Sequence, residues 1–141
     1  MKNLVFLLIM VSINALAQVS ERGDSNVVVP KKLFIQDNVQ RIIYDYTQSE
    51  DLGLIEMHAP AGWTEPIIKA QFEIRGIVSE GTLGLEFENG TKTMTKGQGF
   101  FIPKNTLVRI FNAGQDDLIL VEVLRPAYKK ELVQELSDFT Q

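Results

Sequence analysis

The chain has 141 residues, of which 45% are apolar and 23% charged, with a formal charge of −4 and no cysteine. Typical domains hold roughly 100–150 residues, so this composition describes one globular domain and excludes a chain too polar to bury a core. The acidic balance, with no basic cluster longer than Lys31-Lys32 or Lys129-Lys130, excludes nucleic acid as a partner, because a phosphate backbone demands clustered cations.

Lys2 is followed by an apolar run from Leu4 to Ile13, interrupted only by Ser12, and then by Ala15-Leu16-Ala17. A positive start, a short apolar stretch and a small-x-small site form the pattern of a secretory signal peptide. Residues 1–17 are expected to be removed, leaving Gln18 first. A spanning helix needs roughly 20 apolar residues and a lipobox needs cysteine, so no stable membrane anchor is expected after processing. The expected location is outside the cytoplasm, in a bacterial periplasm. Core packing alone must then stabilise the fold, without disulfides.

Residues 18–30 read as a flexible lead-in that contains one short β-type run, Val27-Val28-Val29, ending at Pro30. The barrel is expected over 31–126, because many short β-type runs separated by turn signals mark a sandwich or barrel. Runs fall at Val39–Tyr46, Leu52–Ala59, Phe72–Val78, Thr82–Glu88, Thr91–Thr95, Leu107–Asn112 and Leu118–Leu124. Within Thr82–Glu88, Leu83, Leu85 and Phe87 share one face, and Gly84, Glu86 and Glu88 share the other. Asn89-Gly90 is a hairpin signal in which both residues tolerate positive φ. From Pro126 the apolar residues Tyr128, Leu132, Leu136 and Phe139 recur three or four apart, which predicts an amphipathic helix over 127–141. The predicted architecture is all-β, a jelly-roll β-barrel with a short C-terminal α-helix.

The stretch from Ala59 to Asn112 resembles the two motifs of the cupin family. The second motif, G-x5-P-x-G-x2-H-x3-N, is similar to Gly97, Pro103, Asn105, Val108 and Asn112 at the same spacing. Asn105 stands for a glycine, a mild change because asparagine tolerates the left-handed region; Val108 stands for the histidine. In the first motif, G-x5-H-x-H-x3,4-E-x6-G, Gly81 matches the closing glycine and Ile74 takes the glutamate position. The histidine positions fall on Ile67 and Lys69 with a four-residue gap, or on Ile68 and Ala70 with three. The resemblance implies a jelly-roll barrel and a homodimer.

Most cupins hold a metal at those positions, and a metal needs three or four converging N, O or S donors. One histidine and no cysteine cannot supply them, so no metal and no cofactor is expected. Branched hydrocarbon there leaves an interior that is either filled or open as an apolar pocket, with Trp63, Ile67, Lys69, Ile74 and Val108 as candidate ligand-binding residues. No catalytic residue stands out. His58 with Glu56 on one strand face, or Lys69 if it points inward, are the candidates for a base at the barrel mouth. Trp63 either stacks on a ligand or caps the barrel, and Arg75 and Arg109 point away from the interior. The expectation is a secreted, metal-independent module that binds a small ligand or serves a structural role. The alternative is a metal-independent sugar-type isomerase, epimerase or lyase.

Overall fold

Strand alternation organises residues 26–140, which the computed structural model describes; the expected signal peptide and the polar lead-in before Asn26 lie outside them. The strands in chain order are β1 (Lys31–Gln36), β2 (Gln40–Asp45), β3 (Gly53–Ala59), β4 (Ile67–Ala70), β5 (Glu73–Glu80), β6 (Thr82–Phe87), β7 (Gly90–Thr95), β8 (Gly99–Ile102), β9 (Leu107–Asn112), β10 (Leu118–Arg125) and β11 (Val133–Leu136). They form a six-stranded sheet, β1-β2-β3-β10-β5-β8, and a five-stranded sheet, β11-β4-β9-β6-β7. All pairs are antiparallel, and the inner faces meet in one core. That is a jelly roll, the predicted fold class.

In β10, Leu118, Leu120, Glu122 and Leu124 point inward and are buried, whereas Val121 and Arg125 are exposed. The predicted alternation in β6 is also present, with Leu83 and Leu85 in the core and Phe87 packed against it. Gly84, on the other face, is covered by the Phe111 ring, and a Cβ there would lie 2.2 Å from it.

Three expectations are corrected. Val27, Val28 and Val29 form no strand and are exposed. In the β6–β7 hairpin, Glu88 and Asn89 make the turn. Of Asn89 and Gly90 only Gly90 has positive φ (133°), and among described non-glycine residues Asn105 alone does (60°). The tail is not a helix but a 3₁₀ turn, Lys130–Leu132, followed by β11, which pairs with β4 from Val133↔Ala70 to Leu136↔Ile67. An isolated helix of this length is marginal in water. The free edge of β4 instead offers backbone partners, and Leu132 and Val133 pack against the core when they take it.

Asn112, the last motif residue, holds the chain crossings at one end. Its Nδ2 donates to the Ala59 carbonyl (3.1 Å) and the Asp116 carbonyl (2.8 Å), and its Oδ1 accepts from the Gly114 N–H (2.9 Å). Asn112→Ala removes all three bonds from a buried position, a loss of roughly 2–4 kcal/mol at about 1 kcal/mol each. Thermal unfolding of the variant is expected to show a clearly lowered midpoint; an unchanged midpoint would refute this role.

Candidate functional site

The strand register settles which residues occupy the metal-ligand positions of the motif. Ile68 lies opposite Val108, and Lys69 opposite Leu107. Opposed residues share a face, so the three-residue gap is the one adopted: Ile68, Ala70, Ile74 and Val108 point into the core, all buried. These four side chains carry no metal donor and do not fit a metal ion. Among the described residues no group of three or more His, Cys, Asp or Glu is arranged to hold one. Ile67 is buried but alternates with Ile68 outside the core cluster.

Lys69 therefore points away from the interior, contrary to the four-residue register. It lines an open cleft of about 660 Å³ with Lys92, Phe87, Asn105 and Thr106. Trp63 is 1% exposed. Its Nε1 donates to Asp37 Oδ2 (2.8 Å), and the Arg41 guanidinium lies 4.9 Å from its ring centroid. It caps the barrel as core and presents no face for stacking.

His58 and Glu56 do meet, with Nε2 2.5 Å from Oε1, and Tyr44 packs edge-on against the imidazole at 5.2 Å. They stand on the outer face of the six-stranded sheet, because Ile55, Met57 and Ala59 take the inward positions of β3. The pair is 34% and 35% exposed and is not at the barrel mouth. Arg75 and Arg109 also face outward: Arg75 stacks on Phe101 (4.2 Å) and Arg109 pairs with Glu86 (3.1 Å).

The interior holds a charged cluster that sequence reasoning passed over. Arg41 on β2 points to the same side as Ile43 and bonds Glu65 through Nη1. Its Nε lies 2.9 Å from Asp37 Oδ2, an ion pair by distance in which the N–H is not aligned as a hydrogen bond. Glu65 sits where the chain enters the five-stranded sheet, its N–H bonded to the Ile110 carbonyl. The Arg41–Glu65 pair thus ties the two sheets together. Glu122, in the middle of β10, is 6% exposed. Burial, the nearby Glu65 charge and the opposing pull of Arg41 together push its carboxyl up to about 7. Burial also raises Glu65, against Arg41. A carboxyl that exchanges its proton near neutral pH can act as an acid, a base or a proton-linked ligand contact.

No family model matches the sequence. A protein from Myxococcus xanthus (strain DK1622) named Endoribonuclease YbeY is 29% identical over 86 residues, 61% of this chain and 29% of that protein. The chain thus spans less than a third of that relative's length. An RmlC-like cupin from Shewanella frigidimarina is similar in structure with a TM-score of 0.62 at 16% identity, covering 72% of this chain and 88% of that one. A Klebsiella pneumoniae protein with a double-stranded β-helix domain gives 0.61 at 14% identity, covering 74% and 90%. The cupin domain of Schizosaccharomyces pombe Cnp3 gives 0.55 at 18%, covering 61% of each chain. At these identities the likeness concerns the fold.

Because the carboxyl of Glu122 is raised from 4.5 to about 7 in the folded chain, its contribution to stability is fully present below pH 4.5. The unfolded chain ionises first, so that contribution is lost as pH rises to 7, by roughly 3 kcal/mol at 1.36 kcal/mol per unit. Glu122→Gln is expected to flatten this part of the stability–pH curve and to be more stable than the parent at pH 8. Equal slopes in denaturant titrations across pH 4.5–8 would show that Glu122 does not hold its proton.

Proposed function

Because this chain has the cupin fold, we propose that it is a metal-independent module of that fold, exported from the cytoplasm, which binds a small ligand rather than performing metal catalysis. The observation that carries the reading is the set Ile68, Ala70, Ile74 and Val108 at the four motif positions, all buried hydrocarbon. Lewis-acid chemistry at that place has no donors to hold an ion. Recognition falls instead to the few polar groups inside an otherwise apolar interior, which is how small-molecule sites fix orientation. The apolar run and small-x-small site of residues 4–17 support export. Among the described residues no helix is long and apolar enough to cross a membrane.

The homodimer belongs to the same reading. Phe34 (60% exposed), Ile77 (55%) and Phe101 (47%) join Leu54 and Val121 on the outer face of the six-stranded sheet. A groove of about 510 Å³ runs there between Ile77, Phe101, Val121 and Val123. An apolar patch of this kind marks an interaction surface, and a second copy of the sheet matches it in chemistry.

Native mass spectrometry with elemental analysis of the purified protein tests these statements together. The expected result is a dimer without stoichiometric metal that releases a small molecule on denaturation. A stoichiometric metal would overturn the metal-free reading, and a monomer would overturn the dimer.

A second reading, metal-independent isomerisation or epimerisation of a sugar-type substrate, is favoured by Glu122, whose carboxyl exchanges its proton near neutral pH. Among structures of similar fold is a Silicibacter pomeroyi protein described as a sugar phosphate isomerase (TM-score 0.55, 15% identity, 60% of this chain and 59% of that one). On this reading Glu122, not His58 or Lys69, is the acid–base group. Incubation with aldoses and uronates in D₂O should then place deuterium on the carbon next to the carbonyl, and Glu122→Gln should abolish it. No incorporation by the parent protein ends this second reading.

A further inference from the structure

The open cleft of about 660 Å³ is walled by side chains from β4, β6, β7 and β9 and by the turns joining β6 to β7 and β8 to β9. Lys69 reaches it from β4, where its backbone is paired between Leu107 on β9 and Gln134 on β11. Lys92 reaches it from β7, with its ammonium 5.9 Å from the centroid of the Phe87 ring. Neither lysine side chain makes a hydrogen bond or an ion pair among the described residues. The Asn105 amide and the Thr106 hydroxyl line the same cleft and are equally unbonded among them.

Asn105 adds a second observation. It holds a positive φ of 60° at the position where the motif carries glycine. Its N–H donates to the Ala70 carbonyl at 2.7 Å, a bond that needs only the backbone. Glycine would make the same turn without crowding a Cβ. A side chain kept in a sparsely populated conformation points to a use for that side chain. What this one adds to the turn is an amide on the cleft wall.

From this arrangement we infer that the cleft binds a small organic monocarboxylate built on an apolar ring. Its carboxylate accepts from Lys69 Nζ, Lys92 Nζ, the Asn105 amide and the Thr106 hydroxyl. Lysine can only donate, and the amide and hydroxyl can do the same, so the ligand group must accept. Two of the four donors are cations, so it must be an anion. Glu88 lines the cleft as well and offsets one of the two positive charges, which suits a single negative charge better than a phosphate dianion. The two oxygens of a carboxylate offer about four lone-pair sites, one for each donor. Phe87, Pro103 and Leu107 supply hydrocarbon beside the donors, and such a wall takes an apolar ring and keeps water from one side of the ion contact. Because Lys69 points away from the core, this site lies outside the barrel interior and is independent of any ligand held there.

The test is a chemical-shift titration of the isotope-labelled protein by NMR at constant ionic strength. The probes are sodium benzoate, sodium acetate, benzyl alcohol, sodium phosphate and sodium glucuronate. Benzoate is expected to saturate and to shift the amides of Lys69, Lys92, Asn105 and Thr106. Acetate and benzyl alcohol, which each lack half of the recognised chemistry, should bind more weakly, and phosphate no more tightly than acetate. Lys69→Gln and Lys92→Gln should each weaken benzoate binding roughly 10-fold, the loss of one charge-assisted contact. Lys129→Gln removes the same charge away from the cleft and should leave binding intact, and Glu88→Gln should tighten it. Asn105→Gly separates recognition from folding: weaker benzoate binding is expected with a thermal midpoint unchanged or raised. No benzoate binding by the parent, or equal binding by the parent and the Lys69→Gln/Lys92→Gln double variant, overturns the site. Unchanged binding in Asn105→Gly overturns the assigned donor set. Phosphate or glucuronate binding more tightly than benzoate, with the same dependence on the two lysines, overturns the ligand class.

Discussion

The central strands of this fold send alternate side chains into one interior shared by two sheets, and that space is only as wide as the side chains that fill it. The constraint decides more about the protein than any single residue. It fixes which of two adjacent positions on β4 faces inward, through the opposition of Ile68 to Val108. It also turns the motif's ligand positions into packing positions once their residues are hydrocarbon. Leu118, Leu120, Val78 and Leu83 are fully or almost fully buried, and each contributes about 1.5–3 kcal/mol relative to exposure. Around Ile74 and Val108 the barrel is held by dispersion and water exclusion where a metalloprotein would use coordination.

Within that apolar interior the acid on β10 is an exception with a measurable cost. Its neighbours on the inward face are Leu120 and Leu124, and across the sheet it lies beside Ile55 and Gly76. A carboxyl in such surroundings stays neutral more readily than it ionises. Glu65 differs because Arg41 is in direct contact and opposes the effect of its burial, whereas on Glu122 burial acts with less opposition.

Much of the fold was legible because alternation and turn chemistry are local. The β6 pattern, the Gly97-to-Asn112 spacing and the outward placement of Arg75 and Arg109 follow from periods of two and from residues that tolerate left-handed φ. What was not legible depends on pairing. The choice between Ile67 with Lys69 and Ile68 with Ala70 needs the cross-strand register. The tail reads as helical from its three-to-four spacing until the open edge of β4 enters the comparison. The acid cluster had a faint signal: Glu122 continues the Leu118, Leu120, Leu124 series. Flanking Val121 and Val123 made the opposite face look equally buried, which hid which side the acid would take. Arg41 and Glu65 are 24 residues apart, and nothing in either local sequence announces that they meet.

Two glycine–phenylalanine oppositions carry a consequence for how this sequence can drift. On the outer face of the five-stranded sheet the Phe111 ring occupies the volume that a side chain at Gly84 would need. On the inner face of the other sheet the Phe100 ring does the same over Gly76, with a Cβ there 2.4 Å from the ring. A side chain gained at either glycine must displace the ring across from it, whereas a ring lost from position 111 or 100 leaves a void beside the glycine. In a lineage of such chains positions 84 and 111 must move in concert, as must 76 and 100: a methyl gained on one strand requires a ring lost from the next. The order of change is constrained as well: the ring has to go first and the glycine second, because the reverse order places a methyl inside the ring.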